Sequence, residues 1–306
     1  MSVFKRFMST NISPEVCGYI KKLSVVGAGQ MGIGIGLVAA RVAKLDVEFV
    51  EPNEQQIERG FGLIDKLLEK DISRGRCTEQ EMQAIKSRIS TVSSVEDIKA
   101  TDFVIEAVTE NVDLKKKIFS RLSAHLPKDT IIATNTSSIS VTKIASAVQP
   151  TMDPSKVIGM HFMNPVPVMK LVEIIPGLQT SENTLAVTVA LAQKMNKVTT
   201  VSKDAPGFVA NRLLMPYINE AVIALDEGIA SREDIDTTMK LGMNMPMGPL
   251  TLADFIGLDT CLAIMEVLHK ELGDSKYRPA VLLRNYVEAG WLGKKSGRGF
   301  YDYNSQ

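Results

Sequence analysis

Three glycines near the start of the chain have the spacing of a phosphate-binding turn. Gly27, Gly29 and Gly32 follow a short apolar run at residues 23–26 and precede a stretch of helical character at residues 33–44. In such a strand–turn–helix the first glycine permits the tight turn, the second lets a pyrophosphate approach the backbone, and the third lets the helix pack close to the strand. The amides at the N-terminus of the helix would then bind the phosphates.

An acidic residue follows these glycines at the distance that a dinucleotide requires. Glu51 ends a second apolar run, residues 47–50, and lies 24 positions after Gly27. An acid about 20 residues beyond the first glycine accepts the ribose hydroxyls of an adenosine, and its charge repels a 2′-phosphate. The glycines alone would also suit a plain strand-to-helix link. The whole arrangement predicts NAD as the cofactor, with Gln30 and Met31 of the turn in contact with it.

Polar residues follow the later apolar runs, where strands are expected to end. In an open parallel sheet the ligand lies beyond the carboxyl ends of the strands, so these residues are the ones expected to do chemistry. They are Glu110 with Asn111, the run Asn135-Thr136-Ser137-Ser138, and His161 with Asn164.

His161 is the strongest candidate for a catalytic base. It follows an apolar strand at this edge, where a neutral imidazole takes up a proton near neutral pH, whereas His125 and His269 lie on amphipathic helices. Glu173 is its expected partner, because a carboxylate within the apolar run 171–175 is costly unless it is paired. Pairing with an imidazole N–H would also raise the basicity of the histidine. The alternative is an edge-strand glutamate that faces water.

The elements that must position these residues alternate between strand and helix as far as about residue 203. Such alternation predicts βαβ units and a mainly parallel, Rossmann-type sheet. Beyond Asp204-Ala205-Pro206-Gly207 only helical periodicity remains. We therefore predict an α/β fold with an NAD-binding domain at residues 21–203 and an all-helical domain at residues 204–306.

The composition excludes several classes of protein. Lys and Arg together number 35, as do Asp and Glu, so the overall charge gives no reason to expect a nucleic acid or an anionic membrane as partner. Charges or glycines interrupt every apolar stretch before the roughly 18 residues needed to cross a bilayer. Cys17, Cys77 and Cys261 are too scattered for a disulfide framework or a zinc site, and no metal is expected.

Residues 1–20 differ from the rest of the chain. They carry Lys5, Arg6 and several hydroxyl residues, with no acid before Glu15. A basic, acid-poor start is typical of organelle transit peptides, so we predict an N-terminal extension and a mitochondrial matrix location. A cytoplasmic protein with a short N-terminal extension is the alternative.

Five long motifs resemble those of the 3-hydroxyacyl-CoA dehydrogenase family, and the resemblance covers about residues 21–304. Within the family the chain is most similar to the single-function short-chain type, the 3-hydroxybutyryl-CoA dehydrogenases. The motifs are NTSS at residues 135–138, GMHFMNPVPVMKLVEII at 159–175, DAPGFVANRLL at 204–214, MPMGPLTLADFIGLD at 245–259 and GWLGKKSGRGFYDY at 290–303.

The resemblance implies a reaction and roles for four residues. The reaction is the reversible NAD-dependent oxidation of a (3S)-3-hydroxyacyl-CoA to a 3-ketoacyl-CoA, as in fatty-acid β-oxidation. His161 matches the catalytic histidine and Glu173 its carboxylate partner. Ser137 matches the serine near the substrate carbonyl and the nicotinamide, and Asn211 matches an asparagine of the substrate pocket.

The resemblance also implies contacts to the cofactor and to coenzyme A. Four positions match residues that contact the cofactor in the family, and with Asn135 they complete the expected NAD site. These positions are Glu110, Lys115, Asn164 and Lys295. Lys66, Lys70 and Arg74 are spaced four apart, so they share a helical face that could contact the phosphates of coenzyme A. The alternative is a solvated face with Asp65, Glu69 and Asp71 as counter-charges.

The chain departs from the family at two points. Residues 43–47 lack the usual glycine between the first helix and the second strand, and this connection is one residue shorter. We expect an altered end of the helix and a small shift of the strand. The ribose acid is commonly Asp in the family, and the longer Glu51 should sit differently on the ribose while keeping the preference for NAD.

Three other functions remain open on the sequence. A related branch of dehydrogenases that act on free hydroxy acids, such as sugar acids, shares the NTS and HFxNP motifs. A non-catalytic NAD-binding relative with a structural role is a second alternative, although the intact catalytic set argues against it. One half of a multifunctional protein is the third, but 306 residues leave no room for a hydratase domain.

We also predict a homodimer built through the helical domain. Residues 243–252 are dense in Met, Pro and Gly, and the segment after them is more apolar than a surface helix requires. A domain of about 100 residues has limited capacity to bury all of this surface alone. Packing within the chain is the alternative. The apolar residues concerned are Phe255, Ile256, Leu258, Leu262, Ile264 and Met265.

Overall fold

The structure, a computed structural model, describes residues 14–304. The chain divides into two compact units, with the division between Asp204 and Ala205. No helix within residues 14–304 is long and apolar enough to span a membrane.

The first unit is built on one eight-stranded sheet with the order β3-β2-β1-β4-β5-β6-β7-β8. Neighbouring strands are parallel except β6 and β7, which are antiparallel, so β7 and β8 run opposite to the other six. The strands are β1 (Lys22–Val26), β2 (Asp46–Val50), β3 (Ile89–Val92), β4 (Phe103–Glu106), β5 (Ile131–Thr134), β6 (Val157–Phe162), β7 (Leu171–Pro176) and β8 (Val198–Val201).

Within the described residues, the first unit has six α-helices. They are α1 (Gln30–Arg41), α2 (Glu54–Ser73), α3 (Glu79–Lys86), α4 (Val112–His125), α5 (Val141–Ala145) and α6 (Glu182–Lys194). The central strands β4 and β5 are buried at every position, which is why each begins with three consecutive apolar residues instead of an alternating pattern. The predicted Rossmann-type mainly parallel domain is confirmed.

The sequence analysis missed the pair α3 and β3. The strand has only four residues, Ile89–Val92, at the edge of the sheet, and its two central residues are exposed. Such a short edge strand does not need the apolar pattern that identified the others. The helix before it begins with a capping box between Thr78 and Glu81, a signal that residue types alone could have revealed.

The connection that lacks the family's glycine places a lysine in the left-handed region. Helix α1 ends at Arg41, and Lys44 has φ 57°. A non-glycine residue in this conformation carries a conformational cost that glycine avoids. The strand that follows still pairs in full with β1, so the position of Glu51 is preserved.

The predicted extension, residues 1–20, overlaps the folded unit at its end. Pro14–Cys17 forms a 3-10 turn, and Cys17 and Ile20 are fully buried in the core of the first unit. Residues 1–13 lie outside the described residues, so the transit peptide stays a prediction.

The second unit is helical within its described residues. Its helices are α7 (Ala210–Asp226), α8 (Arg232–Thr237), α9 (Pro249–Ile256), α10 (Leu258–Leu272) and α11 (Val281–Glu288). Residues such as Met215, Leu250 and Leu268 form a separate core. The helical periodicity predicted beyond residue 207 does not show that α9 and α10 are separate helices, which are divided at Gly257, whose φ of 103° no α-helix accommodates.

Candidate active site

The glycine turn has the backbone geometry that close approach of a phosphate requires. Gly27 has φ 101°, and a Cβ there would lie 3.0 Å from the carbonyl oxygen of Ala107. A Cβ on Gly32 would lie 1.9 Å from the carbonyl oxygen of Gly27. At Gly29, by contrast, nothing lies within 4 Å of the Cβ position. Two glycines are therefore required by the protein itself, and Gly29 leaves open space.

The open space at Gly29 belongs to a cleft of about 740 Å³ in the first unit. Gly29 is the N-cap of α1 and supplies no capping side chain, so the first amides of this helix are available to an anion. The cleft lies at the point where the strand order reverses. Strands β2 and β3 follow on one side of β1, and β4 and β5 lie on its other side. Gly27, Gly29, Gln30, Met31 and Glu51 all line it.

Glu51 lies at the end of β2 and is tied to the glycine turn. Its Oε2 accepts a hydrogen bond from the amide of Ala28 at 3.0 Å, and its Oε1 accepts one from the amide of Asn53 at 3.1 Å. Gln56 reinforces this contact by donating to the carbonyl of Ala28 at 3.0 Å. The carboxylate is thus held on the wall of the cleft, and these residues fit a dinucleotide whose ribose would face Glu51.

His161 and Glu173 form a buried pair. His161 Nδ1 lies 2.8 Å from Glu173 Oε2, and the two residues are 8% and 1% exposed. They are register partners in the antiparallel pair β6 and β7. Because the two strands run in opposite directions, the start of β7 lies at the same edge as the end of β6. His161 is inside its strand instead of after it, since β6 continues to Phe162.

Glu110 organises the loop that contains Ser137. Its Oε1 accepts hydrogen bonds from the Thr136 hydroxyl at 2.6 Å, from the Ser137 amide at 2.8 Å and hydroxyl at 3.0 Å, and from the Ser138 amide at 3.0 Å. Removal from water acts to raise the pKa of Glu110, but the charge of Lys115 and these donors outweigh it, so the pKa lies below its ordinary value.

Lys115, a predicted cofactor contact, is buried beside Glu106. It is fully buried, and its Nζ donates to both oxygens of Glu106 at 2.7 and 2.9 Å and lies 3.7 Å from Glu110. Thr134 and the amide of Val108 also donate to Glu106. The charge of Lys115 therefore stabilises both Glu106 and Glu110, the residue that binds the loop of Ser137.

Glu106 is a residue that the sequence analysis missed. It lies in β4, an otherwise apolar strand, and the argument that singled out Glu173 applies to it equally: a carboxylate in such a run needs a partner. That signal was present in the sequence, at residues 102–108, and points to a buried ion pair.

Two asparagines of the predicted cofactor site are tied to neighbouring elements. Asn135 Oδ1 accepts from the amide of Phe162 at 3.0 Å, so its side chain fastens the end of β5 to the residue after His161. Asn164 Oδ1 accepts from Gln30 Nε2 at 3.1 Å. The loop after β6 and the glycine turn are therefore in contact.

Two predicted site residues, Asn211 and Lys295, lie in the second unit. Asn211 is buried in the first turn of α7. Lys295 is exposed, and its Nζ lies 2.7 Å from Asp259 Oδ2 near the start of α10.

The basic residues proposed for coenzyme A are exposed. Lys66 and Lys70 lie on α2, and Arg74 is the residue that follows its last turn. Two of the acids that the alternative requires as counter-charges are paired elsewhere, Asp65 with Lys86 and Asp71 with Arg41. Within residues 14–304, no cluster of His, Cys, Asp and Glu could hold a metal.

Comparison with known proteins gives agreement over nearly the whole chain. The model of the 3-hydroxyacyl-CoA dehydrogenase NAD binding domain matches residues 22–205, and that of the C-terminal domain matches residues 207–303. A probable 3-hydroxybutyryl-CoA dehydrogenase of Bacillus subtilis is 55% identical over 287 residues, covering 94% of this chain and 99% of the relative.

Two further proteins extend the comparison. The crystal structure of an (S)-3-hydroxybutyryl-CoA dehydrogenase from Ralstonia eutropha has a TM-score of 0.88 and 49% identity, covering 93% of this chain and 99% of that one. A mitochondrial hydroxyacyl-coenzyme A dehydrogenase of Rattus norvegicus is 39% identical over 292 residues, covering 93% and 91%. The predicted NAD-dependent enzyme class is confirmed, and the chain belongs to the 3-hydroxyacyl-CoA dehydrogenase family.

Proposed function

We propose that the chain catalyses the reversible NAD-dependent oxidation of a (3S)-3-hydroxyacyl-CoA to the 3-ketoacyl-CoA, with preference for short acyl chains. The observation that supports this most is the buried His161–Glu173 pair, in the same unit as a cleft shaped for a dinucleotide. The short-chain preference rests on the relatives, which are named 3-hydroxybutyryl-CoA dehydrogenases.

In the proposed mechanism His161 exchanges the substrate proton. Nδ1 is held by Glu173, so Nε2 is the ring nitrogen that accepts the proton of the 3-hydroxyl during oxidation and returns it during reduction. NAD, when bound, supplies the acceptor for the hydride from C3. Glu173 stabilises the imidazolium that forms, because the carboxylate lies 2.8 Å from the protonated ring.

Ser137 and Asn211 are the proposed polar contacts of the reacting oxygen. Ser137 Oγ lies 3.0 Å from Glu110 Oε1, and the lowered pKa of Glu110 keeps that carboxylate ionised near neutral pH. The Ser137 hydroxyl must therefore donate to Glu110, since an ionised carboxylate only accepts. In the substrate complex the reacting oxygen gives its one proton to His161 and otherwise only accepts, so we expect the Ser137 hydroxyl to turn from Glu110 to this oxygen and to donate to it together with Asn211.

A substrate series tests this function. We expect NADH-dependent reduction of 3-ketoacyl-CoA thioesters, with kcat/KM highest for the shortest acyl chains and much lower with NADPH. Oxidation of free hydroxy acids with no turnover of thioesters would instead identify the sugar-acid branch. Absence of turnover with every substrate would support the non-catalytic alternative.

We further propose that Lys66, Lys70 and Arg74 contact coenzyme A. Replacing Lys66 and Lys70 by alanine should raise KM for the acyl-CoA about tenfold with little change in kcat, because uniform binding is lost. Lys86→Ala is the control, since Lys86 is already paired with Asp65 at 2.8 Å. Equal KM values in all three proteins would favour the solvated face.

We propose a homodimer that associates through the second unit. Within residues 241–265, four apolar side chains remain 41–80% exposed, Leu241, Met243, Met245 and Phe255. Leu258, Ile264 and Met265 are instead buried in the unit's own core, so within this segment the exposed four are the ones left for a partner copy. Sedimentation at micromolar concentration should report a mass near twice 33.5 kDa, and a monomer would contradict the proposal.

For the location of the protein we keep two proposals, the mitochondrial matrix and the cytoplasm, because the relatives support both. The rat relative is named mitochondrial, which agrees with the basic start of the chain, whereas the Bacillus subtilis and Ralstonia eutropha relatives are bacterial and favour the cytoplasmic alternative. Fusion of residues 1–20 to a reporter, followed by an import assay with isolated mitochondria, separates the two.

A further inference from the structure

Lys197 is a buried cation that the proposed reaction does not use. It follows α6 directly before β8 and is 8% exposed, and no carboxylate within residues 14–304 pairs with it. Burial lowers the pKa of its ammonium group. A buried charge without a counter-ion destabilises a fold, so an apolar side chain of the same length would be favoured here unless the ammonium had a task.

The ammonium of Lys197 binds two carbonyls of one loop. Its Nζ donates to the carbonyl oxygens of Val166 at 2.5 Å and Met169 at 2.8 Å. Both lie in the loop of residues 163–170, which joins β6 to β7 and therefore connects the strand of His161 to that of Glu173. The loop is thus bound from the side of β8 by a charge-assisted pair of hydrogen bonds, a strong type of contact.

The same loop also packs on the first helix, α1. Asn164 Oδ1 accepts from Gln30 Nε2 at 3.1 Å. Val166 is 2% exposed, and a Cβ on Gly34 would lie 2.9 Å from the Cβ of Val166, so loop and helix are in close contact. The loop therefore joins the two parts of the site, the His161–Glu173 pair and the cleft at the N-terminus of α1.

We propose that Lys197 is a positioning residue that holds the loop of residues 163–170 against α1, and so sets the His161–Glu173 pair relative to the cofactor cleft. The proposal rests on the proposed function. Lys197 acts through the carbonyls of Val166 and Met169 and does not touch the substrate. A loop held less firmly would misplace the reacting groups. The reaction rate is more sensitive to such a displacement than the stability of the fold is.

The test compares Lys197→Met with Lys128→Met, which replaces an exposed lysine. Hydrogen–deuterium exchange should become faster at residues 163–170 in Lys197→Met and stay unchanged elsewhere in the sheet. We expect kcat to fall about tenfold and KM for NADH to rise, with KM for the acyl-CoA changed less than about twofold. If the methionine variant does not fold, Lys197→Gln is measured in the same way.

Unchanged exchange at residues 163–170 together with an unchanged kcat would overturn the proposal. So would a lower melting temperature with normal kinetics at a temperature where the variant is folded, since that is a structural role only. If the parent chain reduces no 3-ketoacyl-CoA, the proposed function fails, but the exchange comparison still decides whether Lys197 holds the loop.

Discussion

His161 and Glu173 face each other as register partners across the only antiparallel strand pair of the sheet that residues 14–304 form, with His161 Nδ1 2.8 Å from Glu173 Oε2. Both side chains lie on rigid strands instead of on loops. The contact between the imidazole and the carboxylate is therefore set by strand register, and the reversal of direction between β6 and β7 is what brings a base and its partner together at the edge that also holds the cofactor cleft.

The first prediction concerns Gly29. Because nothing lies within 4 Å of its Cβ position, Gly29→Ala should fold with a melting temperature close to the parent's. The added methyl group would occupy the space of the pyrophosphate, so the Kd for NADH should rise about tenfold or more. Gly62→Ala, at an equally open position on α2, is the control and should leave the Kd unchanged. An unaltered Kd in Gly29→Ala would place the phosphates elsewhere.

The second prediction concerns the choice of cofactor. Glu51→Gln keeps an acceptor for the amide of Ala28 but removes the charge that repels a 2′-phosphate. The ratio of kcat/KM for NADPH to that for NADH should increase about tenfold. Glu54→Gln, a neighbouring exposed acid, should leave the ratio as it is. The same ratio in Glu51→Gln and the parent would show that Glu51 is not at the ribose.

Much of the fold follows from local sequence, and the exceptions have physical causes. Residues 103–106 and 131–134 are buried on both faces of the sheet, so their largely apolar sequences predict strands. The edge strand β3 has no such burial and was missed. The division between α9 and α10 at Gly257 depends on one backbone angle, which composition does not show.

The candidate site was also partly predictable. Glu173 is predictable because a carboxylate in an apolar strand needs a partner, and the same signal is present at Glu106. That Lys115 would pair with Glu106 depends on which of the nearby acids lies within reach of its Nζ. Tertiary contact decides this, and spacing along the chain does not.

The third prediction tests the role of Lys115. Its removal would leave Glu106 buried without a counter-charge, so Lys115→Met should lower the free energy of unfolding by about 3–5 kcal/mol. The double variant Glu106→Gln/Lys115→Met should recover most of this loss, and Lys117→Met, at an exposed position, should cost little. Urea titrations measure all three. Full stability of Lys115→Met combined with weak NADH binding would show a direct cofactor contact instead.

The fourth prediction follows from the lowered pKa of Glu110. A carboxyl group whose pKa is lowered by folding stabilises the folded state above its unfolded pKa, near 4.5, and loses this contribution as the pH falls through the folded pKa. Glu110→Gln should therefore be less stable than the parent at neutral pH, by less than about 1 kcal/mol, because the side chain is 34% exposed and solvent screens its charge. The difference should shrink below about pH 4.5 in urea titrations at a series of pH values. A difference that stays constant into that acid range would mean that the charge of Glu110 does not stabilise the fold.

The fifth prediction is the most direct test of the account, and its measurement is the turnover of a short 3-ketoacyl-CoA with NADH by His161→Gln and Glu173→Gln, with NADH binding recorded for each. The base and its partner act on the proton and not on the cofactor, so kcat should fall about 10²–10⁴-fold in His161→Gln and steeply in Glu173→Gln, while the Kd for NADH stays within about twofold. His269→Gln, on α10, should behave like the parent. Near-normal turnover in His161→Gln would contradict the assignment of His161 as the catalytic base.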